Sequence, residues 1–106
     1  MRAIKFTNQW AKDLKKVKQY PDYKANKLDA YQKMIAAGEP LPPSAKDHPL
    51  AKHNSGMYKG LRDFHLSPNL CVLYNIGDDE VVFYRIGKHN ILGLTEMVTK
   101  KLSVEF

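Results

Sequence analysis

This chain has little cysteine, no membrane-length apolar run and no metal-binding spacing. Its one cysteine, Cys71, rules out an intrachain disulfide. Cys71 lies in an apolar, strand-like run where a buried, inert thiol is expected, and a reducing cytoplasm fits such usage. No stretch approaches the roughly 18 consecutive apolar residues that a bilayer crossing requires, so no membrane partner is expected. The opening MRAIKFTNQW has no apolar secretory core and runs straight into a helical pattern, which argues against export. Neither Cys-x-x-Cys nor His-x-x-x-His occurs, which disfavours zinc, and Gly77-Asp78-Asp79-Glu80 reads as a hairpin turn rather than a calcium loop. Histidine is missing from everything outside positions 48–89.

What the chain does have is apolar enough to fold. With 106 residues, 43% of them hydrophobic, a single domain over 1–106 is expected, large enough for one core of two helices on a sheet. Acidic residues are scarce at the front. Residues 1–33 hold nine Lys/Arg against three Asp/Glu, a net of +6, and the remainder holds eight of each. The positive field therefore comes from the N-terminal third, and a polyanion such as RNA, or an acidic protein, is its natural complement. Taken one at a time, lysines of this kind are as readily a solvated helix face.

Arg2–Phe6 reads as a first strand. Thr7 or Asn8 can cap the following helix by accepting its free backbone N–H groups. Trp10, Leu14 and Val17 recur at helical spacing, and Lys12, Lys15, Lys16 and Lys18 occupy the rest of that helix, which Pro21 ends near Tyr20. A second helix is predicted from Tyr23 or Lys24 to Ala37, with Leu28, Tyr31 and Ile35 on one stripe and Gly38 as its stop. Residues 39–57 carry four prolines and form a long loop. A β pattern follows: Tyr58–Leu66, a turn at Ser67-Pro68-Asn69, Leu70–Ile76, a tight hairpin at Gly77-Asp78-Asp79, then Glu80–Gly87. Residues 91–102 read as a short helix or an irregular tail. The order implies an α+β domain, an N-terminal strand and two-helix hairpin packed on a small antiparallel sheet.

All four histidines, His48, His53, His65 and His89, fall in this second region, together with Arg62, Arg85 and Asp63. Strand alternation puts Lys59, Leu61, Asp63 and His65 on one face of the first meander strand and Arg62 and Phe64 on the other. In the last strand Val81, Phe83, Arg85 and Gly87 share a face, and His89 follows with the same parity. If these strands flank the central one, Asp63/His65 and Arg85/His89 converge at one end of the sheet, though parity alone leaves open whether the faces match. Imidazole both takes and gives a proton near neutral pH, and guanidinium is suited to gripping phosphate. RNA carries its own nucleophile, the 2′-OH. Cleaving it needs a base for that proton, an acid for the leaving 5′-oxygen and a cation for the crowded phosphoryl oxygens. Two histidines and an arginine supply all three without a metal or other cofactor, so RNA cleavage is the chemistry to test.

The segments HPL (48–50), KGLRDFHLSPN (59–69) and YRIGKHNIL (84–92) resemble the YafQ branch of the RelE/ParE toxin superfamily, the toxin halves of bacterial toxin–antitoxin pairs. The likeness covers nearly the whole chain, from the basic helical hairpin through K-D-H-P-L, G-x-R-D-x-H-x-x-P and R-x-G-x-H-x-x-L. It implies a RelE-like fold and a ribosome-dependent endoribonuclease that cuts mRNA in the decoding site. It also implies a small cognate antitoxin as partner. By position, His48, His65 and His89 fall on the branch's catalytic histidines, Arg85 on its phosphate-stabilising arginine and Asp63 on its strand aspartate. His65 and His89 are then general base and acid, in an order left open, with His48 assisting. Lys12, Lys15, Lys16, Lys18 and Lys59 are the expected RNA-docking cations. Where the branch often reads Pro-Asp-Trp, this chain has Pro68-Asn69-Leu70, and the branch's later phenylalanine is Gly93. An acid and two base-stacking aromatics are therefore missing.

Two rivals share the fold. A ParE-like toxin inhibits gyrase and cleaves nothing, and a degenerate toxin acts only as a binding module; fold does not decide between them. The histidine set argues for the enzyme, since a binding module needs no proton-transfer groups. Arg62, opposite in parity to Asp63, is expected in a core-edge or surface salt bridge, and His53 is expected as a plain loop residue.

Overall fold

A computed structural model describes residues 1–49 and 61–88 of the chain. The start predicted for the strand at Tyr58, the reading of residues 91–102, and His53, Lys59, His89 and Gly93 lie outside the described residues.

Strand β1 (Ala3–Phe6) leads into helix α1 (Asn8–Val17), capped by Thr7, whose Oγ1 accepts from the Trp10 N–H at 3.1 Å. The helix stops three residues before Tyr20. Tight bonds from Gln19 N to Lys16 O and from Tyr20 N to Val17 O wind down its end, because Pro21 disfavours helical backbone in the residue before it. Helix α2 (Ala25–Ala37) ends at Gly38, whose φ of +79° is the left-handed conformation that made it a good stop.

The described part of the proline-rich segment, residues 39–49, is not a plain loop. A single 3-10 turn (Pro43–Ala45) is followed by a two-residue strand β2 (His48–Pro49) paired with β3 (Arg62–Ser67). His48 thus enters on a strand, a correction to the loop expected for 39–57. Two residues give too short an alternation for a pattern reading to detect. Strands β4 (Leu70–Ile76) and β5 (Glu80–Lys88) complete a sheet of order β1-β5-β4-β3-β2. Strands β3 to β5 pair antiparallel, as expected, and the unexpected β2 adds antiparallel to β3. β1 adds parallel to β5, so the sheet is mixed rather than wholly antiparallel.

The helices cover one face. Trp10, Phe83, Tyr74, Phe64 and Tyr31 form an aromatic chain from α1 through β5, β4 and β3 to α2, with successive ring centroids 5.5, 5.8, 5.7 and 5.6 Å apart. Phe64, Phe83, Leu66, Leu70, Val72 and Val81 are fully buried around it. Each such side chain contributes roughly 1.5–3 kcal/mol. Arg62 behaves as expected at the core edge, with its Nε 3.3 Å from both Asp47 Oδ1 and the Tyr74 hydroxyl.

One irregularity sets the geometry of the site. Tyr74 pairs with Phe83 but Leu73 pairs with Arg85, so Tyr84 is an extra residue on β5. Such a bulge shifts alternation by one. Val81 and Phe83 face the core, whereas Arg85 and Gly87 fall in register with Leu73 and Cys71, which alternate with the core residues Val72 and Tyr74. The expectation that Val81, Phe83, Arg85 and Gly87 share a face is therefore corrected: the bulge divides them. Thr7 Oγ1 donates to the bulge carbonyl, Tyr84 O, at 2.8 Å and ties it to the start of α1.

Candidate acid–base site

Cross-strand register builds the site. His48 opposes Asp63, Asp63 opposes Leu73, and Leu73 opposes Arg85, one row across four strands. The next row is His65, Cys71 and Gly87. With strands about 4.8 Å apart, Asp63 and Arg85 stand about 10 Å apart along their row. The bulge thus answers the question parity left open, since Arg85 shares a row with Asp63 and adjoins the row of His65.

Asp63 is the centre of the cluster. Its Oδ2 is 3.6 Å from His48 Nε2 and 3.8 Å from His65 Nε2, and its side chain is only 2% exposed. Its Oδ1 is buried without a hydrogen-bond partner among the described residues. Burial in so dry a place disfavours the charged form and pushes the carboxyl up to about 7. Neighbouring His48 partly offsets this and Asp47 adds to it. Cys71 Sγ lies 3.8–3.9 Å from both ring nitrogens of His65. Burial, and then Asp63, push that thiol upward, so it is held protonated.

One proton of His48 follows from its partner. Its Nδ1 lies 2.6 Å from the Lys46 carbonyl oxygen, which can only accept, so Nδ1 carries a proton and donates there, while Nε2 faces Asp63. Lys46 reaches this position with φ of +51°, a left-handed conformation at the end of the 3-10 turn. His48 is half-exposed and His65 mostly covered, at 50% and 19% of their side chains. One imidazole therefore opens to solvent while the other stands at the wall.

Arg85 is held from outside the sheet. Asp13 on α1 accepts from Arg85 Nε at 2.8 Å and from its terminal nitrogen at 2.9 Å, and also takes the Ile86 N–H at 3.3 Å. Both side chains are buried. Two of the five guanidinium N–H donors are thus committed to a carboxylate in a fork geometry. Sequence reasoning missed Asp13, although it is an acid lying three residues after Trp10 and four before Val17, on the buried stripe itself. Cys71 is the buried thiol expected from its apolar run, but nothing in sequence order places it beside His65.

Among the other expected residues, Lys12, Lys15, Lys16 and Lys18 are exposed along α1. Asn69, where the resemblance expects an acid, is exposed in the β3–β4 turn. Leu70 is completely buried in the core, so at this position an aromatic would pack inward rather than stack on a base.

The chain matches the family model described as a bacterial toxin of type II toxin–antitoxin systems, YafQ, over residues 2–93. It is 36% identical over 93 residues to the mRNA interferase toxin YafQ of Escherichia coli K12, covering 86% of this chain and 95% of that one. The fold aligns with the toxin in the E. coli DinJ–YafQ toxin–antitoxin complex at a TM-score of 0.71 and 34% identity, over 86% of this chain and 96% of that one. It also aligns with a metal-bound toxin from Helicobacter pylori at a TM-score of 0.75 and 30% identity, over 87% and 99% of the two chains. With the motif residues in register across one sheet and a match that spans most of its length, the chain belongs to the YafQ family of type II toxin–antitoxin toxins.

Proposed function

We propose that the chain is an mRNA-cleaving endoribonuclease that inhibits translation on the ribosome, and that a cognate antitoxin neutralises it in the cytoplasm. The observation that carries this reading is the buried Asp63 between His48 Nε2 at 3.6 Å and His65 Nε2 at 3.8 Å. A carboxyl pushed up to about 7 between two imidazoles can pass a proton at physiological pH. In this mechanism His65 and His89 act as base and acid on the 2′-OH and the leaving 5′-oxygen. His48, held through Nδ1 by the Lys46 carbonyl with its Nε2 facing Asp63, assists, and Asp63 orients the histidines. Arg85 stabilises charge on the phosphoryl oxygens, steadied by Asp13. The α1 lysines, with Lys59, dock on RNA.

The names of the relatives support the activity, since the E. coli protein is called an mRNA interferase. The E. coli complex supports an antitoxin partner. Induced expression, with cuts inside translated messages mapped by primer extension, tests the reading. Growth arrest with cut message is expected from the unaltered chain, and loss of both from His65→Ala and His89→Gln. Toxicity that survives both substitutions would reject enzymatic action. A second reading, a toxin that acts by binding alone, draws on the burial and neutralisation of Arg85 by Asp13. Arrest with intact message would favour it.

A further inference from the structure

We propose that Asp63, His65 and Cys71 form a binding site for a borderline transition-metal ion of the zinc class. One carboxylate oxygen, one imidazole nitrogen and one thiol sulfur from these residues all lie within 4.8 Å of one another. Two of the separations, 3.8 Å from His65 Nε2 to Asp63 Oδ2 and 3.8–3.9 Å from the ring to Cys71 Sγ, are close to the edges of a small coordination tetrahedron. Zinc takes thiolate at about 2.3 Å and imidazole or carboxylate at about 2.0–2.2 Å, which sets ligand–ligand edges somewhat under 4 Å. The third separation, from Asp63 to Cys71 Sγ, is bounded only at 4.8 Å, so the three side chains draw inward to close the set. The sulfur is nearly equidistant from both ring nitrogens, so a turn of the imidazole about its χ2 aims either one at the ion.

A second observation points to a ligand independently of that grouping. Asp63 Oδ1, the carboxylate oxygen other than the one facing His48 and His65, is buried with no hydrogen-bond partner among the described residues, on a side chain 2% exposed. A buried carboxylate oxygen left without a donor is costly, and a cation supplies what is missing. The donor set identifies the class. Thiolate with imidazole selects zinc or copper over magnesium or calcium, which prefer all-oxygen shells. Three protein donors leave a coordination position for water. The partly exposed His65 is the way in, and Cys71 gives its proton to solvent as its sulfur binds. No zinc spacing is visible in the sequence because the ligands meet by strand register: Asp63 and His65 are two apart on β3, and Cys71 faces His65 from β4.

A metal held by the His65 ring removes that nitrogen from proton transfer, so occupancy and cleavage exclude each other. This consequence rests on the acid–base reading; the site itself does not. The test is titration of the full chain, freed of metal, with cobalt(II). One equivalent should bring up a near-ultraviolet thiolate-to-cobalt charge-transfer band with the visible bands of a four-coordinate ion. Cys71→Val should abolish the charge-transfer band and weaken binding at least tenfold, and Asp63→Asn should weaken it comparably, each with an unchanged circular dichroism spectrum. X-ray absorption on the zinc-loaded, unaltered chain needs no variant and should show one sulfur at about 2.3 Å. Because Cys71 is the only cysteine in the chain, a sulfur in the shell at that distance names its source. A shell of nitrogen and oxygen alone, or no binding of cobalt, would overturn the site. Zinc should also suppress cutting of message. If the metal-free chain leaves message uncut, the acid–base reading falls while the spectroscopic result still stands.

Discussion

Asp13 grips Arg85 with both carboxylate oxygens, at 2.8 and 2.9 Å, across the gap between α1 and the outer side of β5. The same carboxylate takes the Ile86 N–H, at the end of the strand that β1 does not cover. Removing one partner of a buried pair leaves the other charged and unpaired, at a cost on the order of 3 kcal/mol. Asp13→Ala is expected to destabilise the fold by about that amount in urea unfolding. Asp13→Ala combined with Arg85→Met should recover much of the loss. If the double variant is no more stable than the single one, the two residues are not coupled as the geometry indicates.

Asp63 makes stability depend on pH in an unusual direction. Its folded pKa, about 7, lies above its ordinary value of 3.8. The folded state therefore keeps a proton that the unfolded chain releases between those values. The associated stabilisation is complete below about pH 4 and is lost as pH rises through 7. At about 1.4 kcal/mol per pKa unit the full swing is on the order of a few kcal/mol. Unfolding with EDTA present should show stability falling from pH 5 to 8, and Asp63→Asn should flatten that slope and be the more stable form at pH 8. Equal slopes in the two proteins would contradict it.

Thr7 caps α1 and also donates to the bulge carbonyl of Tyr84 from a site only 3% exposed. Thr7→Ala loses a cap, usually worth about 1 kcal/mol, and leaves a carbonyl short of a donor. A loss of about 2 kcal/mol in thermal or urea unfolding is expected. Thr7→Ser, which keeps the hydroxyl, should restore most of it.

The four α1 lysines are exposed, so replacing Lys12, Lys15, Lys16 and Lys18 with Gln should leave stability nearly unchanged. Binding to ribosomes should weaken and lose salt dependence. Each phosphate contact contributes a slope of about 0.7–0.9 in log K against log salt, so up to about three units of slope should vanish. An unchanged slope would remove these lysines from the RNA-facing surface.

Much of this was legible in the residues. The stripe of Trp10 and Val17, the Gly38 stop and the runs of β4 and β5 all encode local structure, and local structure follows spacing. His48, Asp63, His65 and Arg85 were found by motif, and register brings them into adjoining rows. What failed to show were features decided across strands. β2 is too short to alternate. The bulge at Tyr84 looks like ordinary strand in a sequence and reverses the parity of everything after it. Asp13 was hidden because an acid on an apolar stripe has no visible reason until Arg85 arrives from 72 positions away. The place of Cys71 beside His65 likewise exists only through pairing.

The extra residue on β5 has a consequence for how the hairpin finds its register. Pairing β4 and β5 without it would set Arg85 opposite Val72, pointing a guanidinium into the aromatic core, and would turn Ile86 outward. Desolvating that charge with no carboxylate at hand costs several kcal/mol, far more than a kinked strand. The slipped hairpin is thus rejected by the very arginine it would misplace, and the strand proofreads its own alignment.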